Sequence, residues 1–229
     1  MKDEQKYQSP KPGKGDAAHA VARAGLSAIP MFGGAAIELF SAIVTPPLER
    51  RRQKWMEEVG AALRMLEEER GIKLEDLQNN PAFIDTIMHA SQAALRNSQE
   101  EKRHALRNAI LNAALPNPPE EAIQQMFIDL IDTFTEWHLR FLKLFHDPSL
   151  WFETHGSRPR GPSLASVLEF AFPALLGRRS FYDQIWRDLY TRGLVTIEGL
   201  HGMMTGHGLV QRRTTEMGEQ FLRFIEEPL

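Results

Sequence analysis

Apolar residues recur every three or four positions along most of this chain, the period of an amphipathic helix. From Thr45 to Arg70 the line Leu48, Trp55, Val59, Ala62, Leu63 and Leu66 predicts one long helix. Thr45 is placed to cap it, Pro46 suits its first position and Gly71 its end. Asn80 followed by Pro81 predicts the next start, with Ile84, Ile87, Met88 and Leu95 facing inward. Ser98 and Glu101 have the spacing of a capping box, leading into a stripe of Leu106, Ala109, Ile110 and Ala113. The cleanest periodicity spans 119–146: Ile123, Phe127, Leu130, Ile131, Phe134, His138, Phe141, Leu142 and Phe145 against a charged opposite side. It predicts a single central helix of about 40 Å at about 1.5 Å per residue. His138 on that apolar face reads as a core histidine with one satisfied hydrogen bond.

Upstream the pattern changes. Residues 1–16 mix Lys, Asp, Glu, Pro and Gly, hold no apolar core of a signal peptide, and read as a tail. Residues 17–44 read as a short helical hairpin, Ala17–Ile29 and Ala35–Val44, broken between Pro30 and Gly34. Each arm is shorter than the roughly 20 apolar residues a membrane span needs. Two readings stay open. In one, Ile29, Met31, Phe32, Ile37, Leu39, Phe40 and Ile43 pack against the helical body. In the other, Ile29, Met31, Phe32 and Phe40 enter a membrane interface while Arg50, Arg51, Arg52 and Lys54 meet headgroups. Trp55 continues the stripe of the following helix and is better explained as core.

Gly, Pro and Ser crowd 155–163 and mark 156–162 as a linker after a 17–155 helical domain. Beyond it, 163–229 predicts a helix over 163–175, a second helix capped by Ser180 and ending at Gly193, a strand at "LVTI", a Gly-rich tip at 201–208, a strand at "LVQRR", and a last helix capped by Thr214 or Thr215. Leu189, Gly193, Leu194 and Val195, followed by Arg213, Thr214, Thr215, Gly218 and Phe221, give this third of the chain an order that resembles the winged-helix superfamily. The resemblance implies a second helix, 180–193, that enters a DNA major groove, and a wing at 201–208. Arg178, Arg179, Gln184, Arg187, Arg192, Arg212 and Arg213 are the candidate contacts to nucleic acid or to a partner. The whole chain, through "IPMFGGAAIELF", "PPLERRRQKW" and "EEKRHALRNAILNAALPNPP", also resembles an uncharacterised bacterial helical family, which implies a bacterial source and no activity.

Composition narrows the function. A net charge of −3 exerts no global pull on nucleic acid or anionic lipid. Residues 157–229 balance nine Arg against eight acids, and Asp183 and Asp188 would face the phosphates. The chain has no cysteine, so thiol catalysis, disulfides and Cys-based metal sites fall away. "PGKGD" lacks the P-loop spacing, and no dinucleotide fingerprint, nucleophile elbow or H-E-x-x-H occurs. His201 and His207 flank the tip without a third ligand. The expectation is therefore a mainly α protein: a multi-helix body with an N-terminal short hairpin and a C-terminal winged-helix-like module. It is expected to be no enzyme and to need no cofactor or metal. It is placed in the cytoplasm, with membrane association left open. A protein partner ranks first, a DNA-binding regulator second, and a toxin-like or phage-defence-like membrane effector third. A homo-oligomer stays open.

Overall fold

Helix dominates the residues that the computed structural model describes, 34–155 and 161–228. The chain divides into two units, Met1–Lys54 and Trp55–Leu229. The predicted tail and first hairpin arm, with Ile29, Met31 and Phe32, lie outside the described residues.

The predicted second arm and the predicted long helix are one element, α1 (Gly34–Arg70), with Pro46 and Pro47 inside it. Thr45 therefore caps nothing. The two prolines leave the carbonyls of Ala42 and Ile43 without their helical N–H donors. Both of those residues are exposed, so water can take the place of the missing donors. Ile37 is buried, but Leu39, Phe40 and Ile43, expected inside, are 63%, 58% and 63% exposed. At its far end α1 stops as predicted: Gly71 has φ +67° and its N–H reaches the Glu67 carbonyl at 2.9 Å.

In the second unit, Trp55, Val59 and Leu66 of α1 are buried, and the Trp55 indole donates to Ser91 at 2.9 Å. A short helix α2 (Leu74–Gln78) precedes α3 (Pro81–Arg96). Asn80 caps α3 by accepting from Phe83 N–H, as the Asn-Pro pair predicts. The inner face of α3 differs from the expected one. Phe83, Thr86, Ala90, Ala93 and Ala94 are buried, while Ile84 and Met88 face outward. The small alanines let α3 lie close to α4 (Glu100–Ala114) and α5 (Glu121–Thr133), and Thr86 donates to buried Gln124 at 2.8 Å.

The predicted central helix over 119–146 is two helices, α5 and α6 (Glu136–His146), separated by Phe134 and Thr135 in extended conformation. His138 supplies the reason. Its Nδ1 reaches back and accepts the Thr135 N–H at 3.1 Å, satisfying an amide that a continuous helix would have paired internally. The central element is instead α4, buried on nearly every side and packed against α3, α5 and the last helix. The Ser98 capping box does not form: Gln99 holds the cap position, and Glu101 pairs with Arg140 at 2.7 Å.

α7 (Pro148–Thr154) starts at Asp147, whose carboxylate accepts from Leu150 N–H. Then follow α8 (Leu164–Ala171), a 3-10 turn at Pro173–Leu175, α9 (Arg179–Thr191), α10 (Gly206–Leu209) and α11 (Glu216–Ile225). Ser180 lies inside α9 and does not cap it. Gly193, with φ +70°, ends it. The two predicted strands are absent among the described residues. "LVQRR" begins in α10, and the pairing reduces to one antiparallel bridge between Val195 and Thr214. Thr215 caps α11, accepting from Gly218 N–H at 3.0 Å. Gly218 has no room for a side chain, since a Cβ there would overlap the Leu194 carbonyl.

Residues on both sides of 156–162 build one core within this unit. Phe127 of α5 meets Phe221 and Phe224 of α11 at 5.3 and 5.7 Å, and Phe145 of α6 meets Trp186 of α9 at 4.9 Å. Asn108 and Asn112 of α4 donate to the Ile225, Phe224 and Glu226 carbonyls at 2.8–3.0 Å, satisfying the last carbonyls of α11 from the side.

Candidate interaction surfaces

The candidate contact residues of the C-terminal part separate into two groups. Arg178, Arg179, Gln184, Arg187 and Arg192 lie exposed on or beside α9. Arg178 stacks its guanidinium over Phe181 at 4.3 Å. Arg179 pairs with Asp183, four residues on, at 3.4 Å. Gln184 donates to Asp188 at 2.7 Å and accepts from Arg187 at 3.4 Å. Asp183 also holds His201 at 2.7 Å. The outward side of α9 thus alternates cation, amide and carboxylate, and each carboxylate has partners of its own.

Arg212 and Arg213 belong to the fold. Arg212 donates to the His146 carbonyl at 3.2 Å and to Glu219 at 2.9 Å. Arg213 is half-buried, donates to the Gly208 carbonyl and to Met204 Sδ, and has its pKa lowered by burial. Its Nε has no partner, so the guanidinium is desolvated where it stands. These two arginines staple α10 and α11 to the end of α6.

A polar cluster that the periodicity did not point to sits where α5 gives way to α6. Lys102 is 4% exposed, and its Nζ donates to the Asp132 carbonyl at 2.8 Å in the last turn of α5. A cation there complements the negative end of the helix dipole. Burial lowers the Lys102 pKa, and the nearby Asp132 carboxylate opposes that shift. Asp132 accepts from Arg96 at 2.6 Å and Asn97 at 2.9 Å. Burial pushes its pKa up, but these partners outweigh it and hold the carboxyl below its usual value. His138 stacks on Phe134 at 4.4 Å and places Nε2 3.4 Å from Asp188. Burial lowers its pKa, partly countered by Asp188 and by its bond with Thr135. With Nδ1 accepting, the neutral ring carries its proton on Nε2. Every functional group of this cluster is engaged with a helix terminus or a countercharge, so the chemistry on display is helix capping. The T-x-x-H spacing of Thr135 and His138 is the sequence signal that identifies it.

Among the described residues no group of three His, Asp or Glu is arranged to hold a metal. His201 is engaged with Asp183, and His207 lies exposed in α10. Two open depressions lie on the surface of this unit. One of about 420 Å³ lies beside the loop Pro116–Pro119, where Asn117 takes φ 59°, and one of about 310 Å³ lies over Asp183, Glu198 and His201.

Of the candidate membrane contacts, Phe40, Arg50, Arg51, Arg52 and Lys54 are described, and all five are exposed on α1. No helix among the described residues is long and apolar enough to cross a membrane. No protein-family model, curated protein or solved structure matches the chain.

Proposed function

We propose that the chain acts without catalysis, as a bacterial interaction or adaptor protein that presents its helical body and winged-helix-like C-terminal part to a protein partner. The observation that carries this reading is the charge arrangement on α9. Arg179 with Asp183, and Arg187 with Gln184 and Asp188, make a surface of mixed donors and acceptors. A phosphate backbone approaching this face meets two carboxylates along with the cations. A protein surface with complementary side chains can pair with both signs. Arg212 and Arg213, which a DNA-binding wing would need at its edge, are engaged by Glu219, Gly208 and Met204.

The test compares the full chain with the double variant Arg179→Glu, Arg187→Glu. A protein partner captured by immobilised wild type, and lost by the variant at unchanged thermal midpoint, supports the adaptor reading. Sub-micromolar, salt-sensitive binding to duplex DNA, lost in the same variant, overturns it in favour of a winged-helix regulator.

A further inference from the structure

The first half of α1 is turned inside out relative to a water-exposed helix. Its small polar residues Ser41 and Thr45, at four-residue spacing from buried Ile37, are half-buried. Its large apolar residues Leu39, Phe40, Ile43, Val44 and Leu48 are 63%, 58%, 63%, 39% and 42% exposed. Leu39 and Ile43 are four residues apart, as are Phe40 and Val44, so these four side chains share one face of the helix, with Leu48 at its margin. Arg50 follows Ile43 by seven residues and Arg51 follows Val44 by seven, two turns in each case, so two exposed cations continue the same face. Glu38 and Glu49 are also exposed, and the three turns between them put both on a line facing away from Phe40 and Val44.

We propose that this face is a docking surface for an anionic lipid bilayer, with Leu39, Phe40, Ile43 and Val44 at the acyl boundary and Arg50 and Arg51 on the lipid phosphates. The proposal concerns different residues and a different class of partner from the adaptor surface, so either stands without the other. Two features favour a lipid interface. The stripe ends in a cationic turn, which complements a negative headgroup layer. The Ala42 and Ile43 carbonyls, robbed of donors by Pro46 and Pro47, need the water that an interface supplies and a membrane centre does not. The binding mode is therefore interfacial and reversible.

The test is co-sedimentation of the full chain with vesicles of phosphatidylcholine alone and of phosphatidylcholine mixed with phosphatidylglycerol. The wild type is expected to partition to the anionic vesicles and to be released by salt. Arg50→Gln with Arg51→Gln is expected to weaken partitioning about fivefold per charge, or about 25-fold together. Phe40→Glu with Ile43→Glu is expected to weaken it at least about tenfold while leaving the thermal midpoint unchanged. Absent binding, equal binding to both vesicles, or retained binding by either variant overturns the proposal. So does a fall in thermal midpoint for the Phe40/Ile43 variant, which would show the stripe to be core covered by another part of the chain. A wild-type oligomer that the same variant converts to monomer, without vesicle binding, overturns it in favour of self-association.

Discussion

One helix, two environments: α1 carries apolar residues at helical spacing along its whole length, yet its two halves use them oppositely. From Trp55 onward, Trp55, Val59 and Leu66 are buried and Met56 and Met65 are out. Before Lys54, Leu39, Phe40 and Ile43 are out, Ile37 is buried, and the half-buried positions are Ser41, Thr45 and Pro47. Periodicity records only that a helix has an apolar face; what that face meets is decided elsewhere in the chain. The sharpest way to break this contrast is a pair of truncations. Trp55→Ala is expected to cost about 3–5 kcal/mol, because it empties a buried site and strands the Ser91 hydroxyl. Phe40→Ala is expected to fall within about 0.5 kcal/mol. Equilibrium denaturation of the two variants checks this, and equal losses would abolish the distinction.

The prolines mark the same contrast in the backbone. In a helix interior each proline is about 3 kcal/mol less favourable than alanine. Pro46→Ala with Pro47→Ala restores donors to the Ala42 and Ile43 carbonyls and is expected to stabilise the leading half of α1 locally by up to that amount per site. Amide exchange resolved by residue is the measurement: protection should rise over the turns around Ala42 and Ile43 and stay constant in α4. A rise spread evenly over the molecule would mean that the leading half unfolds only with the rest.

The body shows how much of such detail the residue pattern discloses. The helical class, the stops at Gly71 and Gly193, the start at Asn80 and a last cap at Thr214 or Thr215, which falls on Thr215, are all legible, because each depends on a local conformation or a side chain within three residues. The break at Phe134 was hidden because periodicity runs through it, and because His138 fills the place a Glu holds in the familiar capping box. The importance of α4 was hidden because its buried surface includes Lys102, Asn108 and several alanines, not a line of large apolar residues. The strands around 194–213 were misjudged because Leu209 and Val210 suit either state, and Thr205 capping α10 favours the helical turn. At the candidate surface, the Arg179–Asp183 pairing was readable from i,i+4 spacing. The engagement of Arg213 with Gly208 and of Arg212 with the His146 carbonyl needs the folded chain.

A third, smaller effect separates buried backbone groups that have partners from exposed ones that do without. Asn108→Ala removes the donor to the Ile225 carbonyl, in a site where Asn108 is 8% exposed. The expected loss is about 1–3 kcal/mol, read by denaturation, since the carbonyl is left without a substitute. Asn108→Asp is expected to be at least as damaging, because it turns a carboxylate toward that carbonyl. A neutral outcome for both would mean that water replaces the amide, as it can at Ala42 and Ile43.

The smallest expected effect is a pH dependence confined to the body. His138 is buried, with its pKa lowered from 6.5 chiefly by burial; Lys102 acts in the same direction, and Asp188 and Thr135 oppose it. A base with a depressed folded-state pKa binds fewer protons folded than unfolded. Its contribution to stability is therefore complete above the unfolded value near 6.5 and is lost as pH falls from there toward the folded value. Asp132, whose carboxyl is held below its usual value of 3.8, adds a loss of the same sign in a separate, more acidic window. His138→Gln keeps an acceptor near the Thr135 amide and removes the titration. It is expected to flatten the stability profile just below pH 6.5 and leave the more acidic limb intact. An unchanged profile would show that His138 does not set that limb.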